Sequence, residues 1–317
     1  MRPMRRAARA EGPASSGGRG DDSFPRMPSL DRRSFLAAGL ATAVGTACGT
    51  EGTTSAPDAA GPAFTLIASF PRSEPYAPVG ARQRLPFLIA DRDGAPLDRI
   101  DGSVAFTVTT GGRTVGSAVT VAPRATGIPR AYLPLEFTFP DTGIYEIRAR
   151  YRGTDLTAAI QAYPPAEVKL PQIGSALVPV STPTVSDHRG VEPICTREPP
   201  CPFHQIDLAT SLAAHRPVAL LLSTPKYCQT AICGPVLDVL IDESAHIGGV
   251  DVIHAEVYAN PDAVTTIADA KPTELVSAYS MSFEPCLFVT KADGTLVRRL
   301  DTIYDRTELR EALAAAI

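Results

Sequence analysis

Two cysteines, Cys228 and Cys233, stand in the stretch Lys226-Tyr-Cys-Gln-Thr-Ala-Ile-Cys-Gly-Pro235. An apolar run, Val218-Ala-Leu-Leu-Leu-Ser223, ends just ahead of them, and helical apolar spacing follows at Val236, Leu237, Leu240 and Ile241. Paired thiols between a strand and a helix can carry out thiol–disulfide exchange. A helix N-terminus offers unpaired N–H groups and the positive end of the dipole, which lower a thiol from its usual value of about 8.5 into a reactive range. One thiolate then attacks a disulfide, and the second thiol resolves the mixed disulfide. Residues five apart on an undistorted helix point about 140° away from each other. A bond between the two sulfurs therefore needs Cys228 in the loop, or a distorted first turn.

The remaining chemistry-bearing residues are scattered. Cys195 and Cys201, in Cys-Thr-Arg-Glu-Pro-Pro-Cys, close a short loop and read as a structural disulfide. Only His204 is near them in sequence and the usual zinc spacings are absent, so no metal is expected there. Cys286 directly follows Pro285; it is open to three readings: a third exchanging thiol, a soft-metal ligand, or a small buried hydrophobe. His188, His204, His215 and His246 read as surface or capping residues, and His254 as a satisfied core histidine within a buried strand. Asp238 and Asp242 share a solvated helix face and are not a catalytic dyad. No cofactor is implied.

The elements that must position these residues change in kind along the chain. Residues 63–163 contain short runs rich in Val, Ile, Phe, Thr and Tyr, separated by turn signals, and read as a β-sandwich. The runs are Phe64–Phe70, Leu85–Ala90, Val104–Thr109, Thr114–Val121, Ala131–Phe139, Gly143–Tyr151 and Leu156–Ala162. Residues 164–192 are Pro-rich and read as a linker with few contacts. From 193 to 317 helices and strands alternate in the order α-β-α-β-α-β-β-α. The helices are expected over Asp207–His215, Val236–His246, Thr273–Tyr279 and Thr307–Ala316, with strands over Val218–Ser223, Val250–Tyr258, Cys286–Thr290 and Thr295–Leu300.

Two resemblances attach to these patterns. Asp141-Thr-Gly-Ile-Tyr145 is similar to the tyrosine corner of immunoglobulin-like domains, in which the Tyr hydroxyl pins a loop to the backbone. The Cys that those domains carry two residues later is Ile147 here, so the resemblance implies an immunoglobulin-like sandwich without its inter-sheet disulfide. Residues 205–317 resemble the thioredoxin superfamily. The likeness rests on the strand before Cys228, on Gly234-Pro235 opening a helix, on Ala259-Asn-Pro261 after the next strand, and on Tyr279-Ser-Met-Ser-Phe-Glu-Pro285-Cys ahead of the Asp293-Gly294 hairpin. It implies an α/β thioredoxin-like domain, Cys228 as nucleophile, Cys233 as resolver, a kink at Pro235 and a cis bond at Pro285. Two features depart from the family: four residues, not two, separate the cysteines, and Leu220, Leu221 and Leu222 occupy the strand that carries the family's buried acid. A second alignment sets Ile232-Cys-Gly-Pro235 against the family's Trp-Cys-Gly-Pro and makes Cys233 the nucleophile.

The chain has 317 residues, a net charge of -4 and 44% hydrophobic residues, which fits two ordinary domains and gives no basic surface for nucleic acid. Residues 1–62 stand apart as a disordered extension, an export signal and a tether. Asp31-Arg-Arg-Ser-Phe-Leu36 before an Ala-rich run resembles a twin-arginine signal, with Met27 as the translation start. Cys48 followed by Gly-Thr-Glu-Gly-Thr-Thr-Ser resembles the lipidated cysteine of a bacterial lipoprotein, although Gly45 holds a position usually taken by a large aliphatic residue. These readings imply a monomeric exported thiol–disulfide oxidoreductase, anchored by lipid or secreted, whose partners are protein thiols and disulfides and a redox partner. The alternatives are a Cu(I)-binding module built on Cys228, Cys233 and Cys286, and a redox-inert domain.

Overall fold

The computed structural model describes residues 62–317 apart from 73, 229, 264 and 265. Met27, Arg32, Arg33 and Cys48 lie outside the described residues. Among the described residues, no helix is long and apolar enough to cross a membrane.

The structure is mostly β. Its N-terminal part packs two sheets face to face. The first is β1 (Phe64–Ala68), β3 (Arg82–Asp91) and β7 (Leu133–Thr138), antiparallel in the order β1-β3-β7. The second runs β2 (Ala77–Pro78), β9 (Thr154–Tyr163), β8 (Gly143–Tyr151), β4 (Val104–Thr110) and β5 (Arg113–Thr114), with β6 (Val119–Val121) also paired to β4. The expected single run Thr114–Val121 is thus two short strands, parted where Gly116 takes a φ of 69° that β-branched neighbours would resist. In β8 the side chains of Tyr145, Ile147, Ala149 and Tyr151 point into the sandwich while the alternate positions face outward, the period of a half-buried strand. The Tyr145 hydroxyl donates to the Asp141 carbonyl at 2.7 Å and accepts the Asp141 N–H, so the corner forms as its sequence suggested. Ile147 is fully buried where the disulfide would have been.

The C-terminal part is a four-stranded sheet in the order β11 (Asp251–Ala255), β10 (Val218–Leu222), β12 (Cys286–Thr290), β13 (Leu296–Asp301). β10 and β11 are parallel, and the other two pairs are antiparallel. Every residue of β10 is buried, because helices cover both faces. α2 (Cys233–Ser244) and α4 (Arg306–Ala314) pack on the side of Leu221, Leu287 and Val289, whereas α1 (Leu208–Ala213) and α3 (Glu274–Ala278) pack on the side of Leu220, Leu222 and Phe288. Asp207 caps α1 by accepting the Thr210 N–H, as its position predicts, and Asp305 caps α4 in the same way through Glu308. The observed order of elements is the α-β-α-β-α-β-β-α of the apolar pattern.

The connector behaves differently from the expected linker. The described residues from 62 to 317 belong to one compact unit. The segment 164–192 extends the sheet beside β13: Gly174 and Leu177 donate N–H groups to Leu296 and Gly294, and the Arg299 guanidinium donates to the Pro171 carbonyl at 2.7 Å. Leu170, Leu177 and Val180 are buried. Proline content removes helix and interior strand but leaves isolated edge bonds available, and the apolar residues between the prolines supply the anchoring. The two parts are further joined by a buried ion pair, Arg84 with Glu308 at 2.5 Å, and the Tyr132 hydroxyl donates to the same carboxylate. Asp301, paired with Arg299, accepts from the Tyr76 hydroxyl of the sandwich.

Candidate active site

Cys228 and Cys233 are joined in a disulfide with 5.9 Å between their Cα atoms. Cys228 lies in the loop between β10 and α2, and Cys233 is the first residue of α2, so the helix geometry that would have held the sulfurs apart does not apply to Cys228. Cys228 is half-buried and Cys233 fully buried. The Cys233 N–H, one of the unpaired donors of the helix start, points at the Cys228 sulfur at 3.3 Å. The Thr230 hydroxyl lies 3.3 Å from the same sulfur. The helix begins three residues earlier than the apolar spacing suggested. Pro235 therefore sits in the first turn, where a missing N–H leaves no bond unmade. Cys228 is the more exposed of the two residues, and its sulfur is the one that receives the helix N–H. Ala231, just before the helix, has a φ of 54°, a left-handed conformation costing an L-residue about 1–2 kcal/mol.

The Glu284–Pro285 peptide bond is cis, and it faces this loop. Glu284 accepts the Thr224 N–H, and its other contact is the Cys233 sulfur, 3.7 Å from Oε2. Burial pushes the Glu284 carboxyl up to about 7, against the hydrogen bond from Thr224 that pulls it down. An acid thus reaches the pair from the loop before β12, although β10 carries none. No sequence signal marked Glu284, because its role comes from a neighbour 51 positions away.

Cys286 does not join the pair. In β12 it alternates with Leu287, so it points to the sheet face opposite α2, is fully buried, and donates to Asp301 at 3.1 Å. Burial and the Asp301 carboxylate push its thiol well above the ordinary range. The three-sulfur Cu(I) site is therefore not assembled, and of the three readings of Cys286 the buried hydrophobe is the one that fits.

Nor do Cys195 and Cys201 form the expected disulfide. Both are free thiols, buried, and gathered with His204 and His254 so that one ligand atom from each residue lies within 4.8 Å of all the others. The reading of His204 as a surface or capping residue is corrected, since its ring is buried against the Cys201 sulfur; His254 is the buried, hydrogen-bonded strand histidine that was expected, and it also lies against the sulfurs. Sequence proximity offered only His204, whereas β11 delivers His254 from 53 residues beyond Cys201.

A groove of about 660 Å³ opens beside the disulfide. Ile232, Glu284, Met281 and Phe283 line one wall, and Ile67 to Pro71, Leu88 and Arg130 of the sandwich line the other. The sandwich supplies a large part of this surface.

No family model matches the chain, and no curated protein matches it. Similar solved structures include immunoglobulin domains of titin. The chain is similar to the ZirS C-terminal domain at 14% identity, over 45% of this chain and 97% of that one, with a TM-score of 0.22. It is similar to tandem immunoglobulin domains of titin at 15% identity, over 32% of this chain and 48% of that one, with a TM-score of 0.20. The bacterial hydrophobin BslA matches at 16% identity over 32% of this chain and 98% of its own, with a TM-score of 0.19.

Proposed function

We propose that the chain is a thiol–disulfide oxidoreductase of thioredoxin-like architecture, acting on disulfides of polypeptides in an extracytoplasmic compartment. The observation that carries this reading is the half-exposed Cys228–Cys233 disulfide at the start of α2, with the Glu284 carboxyl against its buried sulfur. The export signal and lipidated Cys48 belong to the same proposal, motivated by residues 31–55 of the sequence.

In the reduced protein the Cys228 thiolate, stabilised by the Cys233 N–H and the helix dipole, attacks one sulfur of a substrate disulfide. That disulfide breaks, a Cys228–substrate bond forms, and the released thiolate takes a proton from water. Cys233 then passes its proton to the ionised Glu284 and attacks the Cys228 sulfur. The internal disulfide forms, and the second substrate thiolate leaves with the proton that Glu284 returns. One substrate disulfide becomes a dithiol as the protein's dithiol becomes a disulfide, and an external dithiol reductant restores the starting state. A carboxyl near 7 suits both halves of the proton transfer at neutral pH. The apolar groove offers an extended peptide a surface next to the reacting sulfur.

The test is reduction of insulin by the full chain with a dithiol as electron donor. Turnover should exceed that of the Cys228→Ser and Cys233→Ser variants. A wild-type rate equal to that of the double variant refutes the reading.

A further inference from the structure

We propose that Cys195, Cys201, His204 and His254 form a closed structural zinc site that fastens the segment 193–204 to the strand ends carrying the redox loop. The ligand set is Cys₂His₂, and three of its sulfur-to-nitrogen separations are close to those of a tetrahedral site. Zinc–sulfur bonds near 2.3 Å and zinc–nitrogen bonds near 2.0–2.1 Å require sulfur-to-nitrogen separations of about 3.6 Å. The Cys201 sulfur lies 3.2 Å from His204 Nε2 and 3.4 Å from His254 Nδ1, and the Cys195 sulfur lies 3.8 Å from His254 Nδ1. All four residues are buried, so the protein would fill every coordination position, as structural zinc sites do.

The surroundings prepare the ligands. His254 Nε2 donates to the Ser223 carbonyl at 3.1 Å, with the Ser223 hydroxyl at 3.0 Å, which leaves Nδ1 unprotonated and turned toward the sulfurs. The Cys201 N–H donates to the Cys195 sulfur at 3.3 Å, a contact that favours thiolate. Among the described residues, the buried His204 Nδ1 has no hydrogen-bond partner.

The site reaches the active loop through two short connections. Ser223, which orients His254, is the residue after β10 and opens that loop. Thr196, next to Cys195, accepts the Lys226 N–H at 3.3 Å, two residues before Cys228. Metal binding at such a site is folding energy for the segment it holds.

The experiment measures metal in the full chain purified anaerobically, followed by cobalt exchange. The expected result is one zinc per chain, retained in the Cys228→Ser/Cys233→Ser variant and therefore separate from the redox pair. Cobalt in the wild-type chain should give the intense visible bands of a tetrahedral ion with thiolate charge transfer, a readout that needs no ligand variant to fold. Cys201→Ser and His254→Gln should lose at least half of the bound metal. A Cys195–Cys201 disulfide in the freshly isolated chain overturns the proposal, as does reduced chain that takes up neither zinc nor cobalt. Copper bound in preference to zinc overturns it too.

Discussion

Replacing Glu284 with Gln removes one charge while keeping an oxygen to accept the Thr224 N–H. The folded wild-type carboxyl titrates at about 7, against 4.5 ordinarily. The folded state thus holds a proton between those values that the unfolded chain has lost, so this group subtracts stability as pH rises from about 4.5 to about 7, with no further loss above. At 1.36 kcal/mol per pH unit the interval corresponds to about 3 kcal/mol. Glu284 retains partial contact with water, which screens the charge and reduces the expected value to about 2 kcal/mol. Urea melts of the oxidised chain at pH 4, 6 and 8 measure it. Glu284→Gln should match wild type at pH 4 and exceed it by about 2 kcal/mol at pH 8. The same variant should slow release of substrate from the mixed disulfide and abolish the rise of that rate through pH 7. A stability offset equal at all three pH values, or largest in acid, refutes the assigned burial of the carboxylate.

Other outcomes follow from the same geometry. Cys233→Ser should accumulate a mixed disulfide with substrate, visible by nonreducing mass spectrometry, while Cys228→Ser should not. Arg84→Met leaves Glu308 charged and buried without its partner, so urea denaturation should show a loss of about 3–5 kcal/mol. Burial raises the Glu308 carboxyl, but Arg84 outweighs it and holds the group below its usual value, so the wild-type contribution fades as pH falls below about 4.5. Tyr145→Phe removes the hydroxyl bridging to Asp141 and should lower stability by about 1 kcal/mol in a thermal melt. Phe283→Ala, in the groove wall, should raise KM for insulin while leaving reduction of a small aromatic disulfide unchanged.

The legible features were local. The strand–loop–helix around Cys228 and Cys233, the α1 cap at Asp207 and the corner from Asp141 to Tyr145 each depend on residues within a few positions of one another, and hydrophobic period or hydrogen-bonding reach dictates them directly. The start of α2 was misjudged because Cys233 and Gly234 carry no apolar period of their own. The Pro-rich segment 164–192 looked detached because composition reports what a chain cannot form, not what it can lean against.

What the sequence by itself determined was the β-rich character of residues 63–163, the order of helices and strands after residue 205 and the presence of a thiol pair before a helix. Only the tertiary structure decided which side chains meet. Strand alternation sends Cys286 and Leu287 to opposite faces, but the packing of α2 on one of those faces is what separates Cys286 from Cys233. The same packing brings Glu284 to Cys233 and His254 to Cys195 and Cys201, across gaps of 51 to 59 residues. The physical reason is that period and propensity act over a few residues along the chain, whereas the chemistry of a site is set by distances through space.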